Sequence, residues 1–144
     1  MAETAYAVRA TLGHEPPATG MAPPDAAVYD RADDIERHAA AVATLQALVS
    51  ADQDAGTQDP RRCRDLLLMA AALYDRYALA MGDLASDVVL TEALEAANAV
   101  AAWDRHHGSS AGPVPSAASR WSPRSYVRNE FGAHLAGLHQ ELPE

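Results

Sequence analysis

The chain has 144 residues, 49% apolar but only 6% aromatic, and a formal net charge of −9 in which all eleven cations are arginine. This length suits one domain spanning 1–144, and the acidity argues against nucleic-acid binding, which rests on cations neutralising phosphates. A single cysteine excludes an internal disulfide and fits a reducing compartment, and no uninterrupted apolar run reaches the ~18 residues of a membrane span.

The first residues, MAETAYAVRA, lack an apolar run of signal length, so the expected setting is cytoplasmic. Residues 2–12 read as a short helix stopped by Gly13, and residues 13–24, with four prolines and two glycines, as an irregular loop. A long helix is expected from Pro24 or Asp25 to about Asp52. Its acids Asp25, Asp30, Asp33, Asp34 and Glu36 crowd the first half, near the positive helix end. Val28, Ile35, Val42 and Val49 recur every seven residues, with His38 and Leu45 beside them.

The central helix is the most apolar stretch. Asp59 is a good N-cap, Pro60 fits the first helical position, and the helix should end near Gly82 to Ala85. Leu66, Ala70, Leu73, Tyr77, Ala80 and Leu84 mark one face at spacings of three and four. Leu67, Met69, Tyr74, Ala78 and Met81 widen it, so cover on more than one side is expected. Ser86 or Asp87 caps a third helix running to about His107, with Val89, Ala93, Ala96, Val100 and Trp103 as its seam and Gly108 as its stop. Residues 108–119 form a second irregular loop. Ser122-Pro123 starts a last helix to about Leu142, with Val127, Phe131, His134 and Leu138 as its stripe. The predicted fold is all-α: an up-and-down bundle of four long helices with a short N-terminal segment. Its core should join Ile35, Val42, Leu45, Leu66, Leu73, Tyr77, Val100, Phe131 and Leu138.

Three groups of residues carry candidate chemistry. His38 and His134 sit in apolar stripes of the first and last helices, where two imidazoles can meet on a metal or a ligand carboxylate, with Glu130 one turn before His134 able to join them. The competing reading is a pair of hydrogen-bonded core histidines. Neither HxxxH nor ExxH spacing occurs, so no metal and no cofactor is expected. Arg120, Trp121, Arg124, Tyr126 and Arg128 form the one basic, aromatic stretch. It leads into a helix N-terminus and suits a small anionic ligand bound by Arg120, Arg124 and Arg128; the alternative is pairing with acids elsewhere. Cys63, between Arg61, Arg62 and Arg64 at a helix start, is a candidate reactive thiol, against a role as a small packing residue.

Arg128 to His134 reads RNEFGAH. This resembles the Arg, polar residue, short spacer, His motif of HEPN ribonucleases. The resemblance covers seven residues and implies an all-α bundle that often dimerises, with Arg128 and His134 acting on an RNA phosphodiester. The Tyr common two residues after the family's His is absent, and Ala136 stands there. Six helical steps also leave Arg128 and His134 roughly 120° apart. Taken together, the residues favour a small helical-bundle binding or regulatory module without chemistry of its own, forming a homodimer or docking a protein partner. A HEPN-like ribonuclease using Arg128 and His134 is the alternative.

Overall fold

The computed structural model describes residues 23–112 and 122–141; the expectations for residues 2–22, for 113–119, and for Arg120 and Trp121 lie outside them. Within that range the protein is an all-α bundle of four long helices: α1 (Ile35–Ala55), α2 (Pro60–Met81), α3 (Asp87–His107) and α4 (Pro123–Glu141). No described helix is long and apolar enough to cross a membrane.

Local chemistry sets the boundaries. The Asp59 carboxylate accepts from the Arg61 amide at 2.9 Å and Ser86 Oγ from the Val89 amide at 3.3 Å, each satisfying a donor that the first turn leaves open. Gly56 and Gly108 end α1 and α3 at φ 70° and 63°, a left-handed conformation that costs a residue with a Cβ.

The first helix differs from expectation. It is not continuous from Pro24 to Asp52. Pro24–Arg31 forms a 3₁₀ segment, Ala32 is extended, and α1 begins only at Ile35. The break has two causes. Asp34 leaves the helical conformation to cap α1, accepting from the Arg37 amide at 2.9 Å. Arg76 of α2 takes the Asp33 carbonyl at 2.8 Å. The break frees the 3₁₀ segment to pack on α4, where a Cβ at Gly132 would come within 3.2 Å of Val28 Cγ2.

α2 is central, as expected, and packs against α1, α3 and α4. Its buried face differs from the predicted one. Leu68, Ala71, Ala72, Asp75 and Ala78 point inward, together with Leu73 at the edge. The main core joins Leu68, Ala71 and Ala72 to Ala97, Val100 and Ala101 of α3 and to Tyr126, Val127 and Phe131 of α4; Val28 and Tyr29 close it. Of the expected core, Val100, Phe131 and Leu73 are buried; Ile35, Val42, Leu45, Leu66 and Tyr77 are half-buried, and Leu138 is 46% exposed. The reason is steric and electrostatic. The alanine face lets α3 and α4 approach closely, and the acid on it is met by arginines of α4.

Candidate functional site

Two buried polar networks join α2 to the rest of the bundle. In the first, Asp75 lies almost wholly out of solvent and accepts from three side chains. Arg128 grips it through Nε at 2.8 Å and Nη2 at 2.9 Å, Arg124 adds its Nε, and Tyr29 donates its hydroxyl at 2.6 Å. Arg128 Nη1 reaches Asp25 at 3.0 Å. Burial alone would raise the Asp75 carboxyl pKa. The hydrogen bonds from Arg128 and the charges of Arg124 and Arg128 outweigh it and hold Asp75 below the ordinary aspartate range. Burial, then the negative charge of Asp75, pushes the Tyr29 phenol up, so it stays a donor.

The second network lies nearer the start of α2. Arg64 holds Asp104 of α3 through two bonds, of 3.0 and 2.9 Å, and Glu130 of α4 at 2.6 Å. Tyr126 and Ser109 donate to Asp104 at 2.6 and 2.7 Å. Glu130, fully buried, also accepts the amides of Ala111 and Gly112 at 2.7 and 2.6 Å, so the chain leaving α3 is tied to α4. A Cβ at Gly112 would stand 2.5 Å from Glu130 Oε2, which explains the glycine. Burial opposes ionisation of Asp104, and the bonds from Arg64, Tyr126 and Ser109 overcome it and lower its pKa.

These networks take up Arg124, Arg128 and Glu130 of the sequence-predicted site. Arg124 and Arg128 are buried partners of Asp75, not surface cations. Arg128 meets solvent along an open groove of about 420 Å³ between the 3₁₀ segment and α4, where Asp25, Arg31, Asn129 and Gly132 also line the wall. Glu130 turns to Arg64, away from the histidines. His38 is buried; its Nε2–H donates to the Met69 carbonyl at 2.8 Å, and its Nδ1 accepts from Arg76 Nη1 at 3.1 Å. Its ring stacks on Phe131 at 5.5 Å, while His134 packs on Phe131 at 6.3 Å and sets Nδ1 3.9 Å from Asp65. The two histidines thus share Phe131 and bond elsewhere. Arg128 and His134 likewise face different partners, and His134 does not line the groove. No group of three His, Cys, Asp or Glu among the described residues is arranged to hold a metal ion. Cys63 is half-buried in the first turn of α2; of its neighbours, Arg62 pairs with Asp52 at 3.1 Å and Arg64 with Asp104 and Glu130.

The buried His38 carries a pH dependence. Burial is the largest influence and lowers its pKa from 6.5; the facing charge of Arg76 adds to this, while the Met69 carbonyl and the charge of Asp33 oppose it. A histidine whose folded pKa is depressed favours the native state above the unfolded value, and that contribution is lost as pH falls towards the folded one. Between about pH 7.5 and 5.5 the urea midpoint of the wild type is expected to fall more steeply than that of His38→Gln. Parallel slopes for the two proteins would remove His38 as the cause.

Asp75, Asp104 and the 3₁₀ residue Tyr29 are not among the sequence-predicted site residues. One signal was available: Asp75 falls in phase with Leu68, Ala71, Ala72 and Ala78, and Asp104 with Ala97, Val100 and Ala101.

The opposite side of α2 is only partly covered, with Cys63, Leu66, Ala70 and Tyr77 half-buried. Cys63, Leu66, Ala70, Tyr74, Tyr77 and Met81 follow one another at spacings of three and four. Tyr74 is 42% and Met81 45% exposed; just beyond, Leu84 is 89% and Val88 66% exposed. The charged residues of this stretch turn elsewhere: Arg64 and Asp75 into the networks, Arg76 to His38, Asp65 towards His134. No family model matches the chain, and neither the curated proteins nor the solved structures give a match.

Proposed function

We propose that the protein is a binding module without chemistry of its own, which works by docking a protein partner on the partly exposed apolar face of α2. The observation that carries this reading is the apolar row from Cys63 to Met81, of which Tyr74 and Met81 are exposed, with Leu84 and Val88 exposed just beyond the helix end. Contiguous apolar surface of this kind costs solubility in a lone chain and marks interaction sites. The buried arginines support the same reading, because Arg64, Arg124 and Arg128 are each held by carboxylates.

The HEPN-like ribonuclease is the second reading. Its supporting observation is that Arg128 and Asn129, the first two residues of the motif, line the open groove. Two measurements separate the readings. Structured and unstructured RNA incubated with wild type and with His134→Ala should stay intact; cleavage by the wild type that disappears in folded His134→Ala would establish the ribonuclease. Tyr74→Glu and Met81→Glu, on an exposed face, should change stability by no more than about 0.5 kcal/mol. A loss of several kcal/mol at either position would place the face inside the chain's own core and remove the docking surface.

A further inference from the structure

We infer that His38 and Arg76 form a pH-sensitive clasp, which holds the 3₁₀ segment Pro24–Arg31 against α4 and loosens it when His38 takes up a proton. The clasp is independent of the docking face on α2. It turns on one amino group. Arg76 Nη1 carries two hydrogens and meets two acceptors: the Asp33 carbonyl at 2.8 Å, just past the 3₁₀ segment, and His38 Nδ1 at 3.1 Å. The same guanidinium lies over the Tyr29 ring, 5.4 Å from its centroid. Neutral His38 thus positions the group that holds both Tyr29 and Asp33. Nδ1 is the one acceptor the ring has, because Nε2–H already donates to the Met69 carbonyl at 2.8 Å. A proton on Nδ1 turns that acceptor into a donor and sets a second cation against the first.

The surroundings of His38 leave that repulsion standing. From α2 the facing charge is Arg76; from the turn before α1, Asp33 attracts the proton. From α4 the facing ring is Phe131, with His134 on Phe131 and set towards Asp65. Arg124, Arg128 and Tyr29 are bound to Asp75, and on α1 itself Asp34, Glu36 and Arg37 are exposed. Burial, helped by Arg76, outweighs the Met69 carbonyl and Asp33, so with the clasp shut the imidazole titrates below 6.5. Once Arg76, half-buried, turns to solvent and the segment loosens, the ring regains its ordinary affinity for a proton. The loosened state therefore binds more protons, and falling pH favours it through the window between the two values; above both, the clasp is shut. Loosening widens the groove between the 3₁₀ segment and α4, whose wall carries Asp25, Val28 and Arg31.

Amide exchange of the full chain tests the clasp, expressed as protection so that the intrinsic pH dependence of exchange drops out. The reporters are Ala26 and Ala32, whose amides bond to the Pro23 and Tyr29 carbonyls. Leu68 and Val100, in the core, should stay better protected throughout, which marks the opening as local. From about pH 7.5 to about 5.5 the wild type is expected to lose protection at Ala26 and Ala32 by up to about tenfold per pH unit, the limit for one proton. His38→Gln keeps a donor and an acceptor without taking a charge, and should hold its protection across the range. Arg76→Met cuts the clasp at every pH and should lower protection at Ala26 and Ala32 about tenfold even at pH 7.5, the scale of a lost hydrogen bond or two. Flat protection in the wild type overturns the proposal, as does a pH response that survives in His38→Gln. So does an Arg76→Met protein as protected as wild type, or protection at Ala26 and Ala32 equal to that of the core. If His38→Gln does not fold, the imidazole resonances of the wild type decide: the protection change should share the titration midpoint of His38, and one that follows His134 overturns the proposal.

Discussion

Replacing Asp75 with Ala is expected to destabilise the protein by about 3–5 kcal/mol, because removing one member of a buried ion cluster leaves its partners charged and unpaired. The magnitude follows from the surroundings. Arg124 and Arg128 are both buried and both bind Asp75, and the Tyr29 hydroxyl loses its acceptor as well. The counter-charge that remains is Asp25, 3.0 Å from Arg128 Nη1 and a third exposed. Against a total domain stability of about 5–15 kcal/mol, the loss should appear as a large drop in urea midpoint with little change in slope. Exchanging Asp75, Arg124 and Arg128 together for apolar residues of similar volume should cost far less than Asp75→Ala alone. A single Asp75→Ala loss below about 1 kcal/mol would mean that water enters and solvates the two arginines.

Glu130→Ala is expected to cost about 3 kcal/mol or more, since it leaves two backbone amides and one side of a guanidinium without acceptors in a buried setting. Arg64 keeps Asp104, which limits the electrostatic part. The local effect is more diagnostic. Ala111 and Gly112 lose the carboxylate that holds them, so their amide exchange should accelerate well beyond that of α3. Glu130→Gln, which keeps one accepting oxygen, should fall between the two. Unchanged protection at Ala111 and Gly112 in Glu130→Ala would show that Glu130 does not tether this connection.

The helices were legible in the sequence where a local signal sets them. Asp59 and Ser86 cap their helices and Gly108 stops its own as read, because a cap depends on residues within one turn. The break before Ile35 was not legible. Five acids lie between Asp25 and Glu36, and their sequence does not tell which will cap a helix and which will sit on a solvated face. The core failed for a different reason. The Leu66, Ala70, Tyr77 row has the regularity expected of a buried stripe, yet the face that packs inside is alanine with an aspartate in it. Hydrophobic periodicity weighs side-chain size, whereas close helix approach favours small residues. The candidate site suffered from the same limit. Arg124 and Arg128 were identifiable as a cationic pair on one face; that Asp75, about fifty residues earlier, would neutralise both is a property of the tertiary fold. Whether His38 was a ligand or a bonded core residue also turned on groups far along the chain, Met69 and Arg76.

The two networks fix the axial position of α4. Alanine-rich helix surfaces are smooth, so sliding one helix along another changes apolar contact little. Arg64 and Asp75 stand eleven residues apart on α2, and both are bound to α4, Arg64 through Glu130 and Asp75 through Arg124 and Arg128. A slip of α4 by one turn would carry these groups about 5.4 Å past their partners and strand buried charges at both points. The polar interior thus encodes alignment where the apolar interior encodes only proximity, and a chain with few large core residues acquires a single register from its ions.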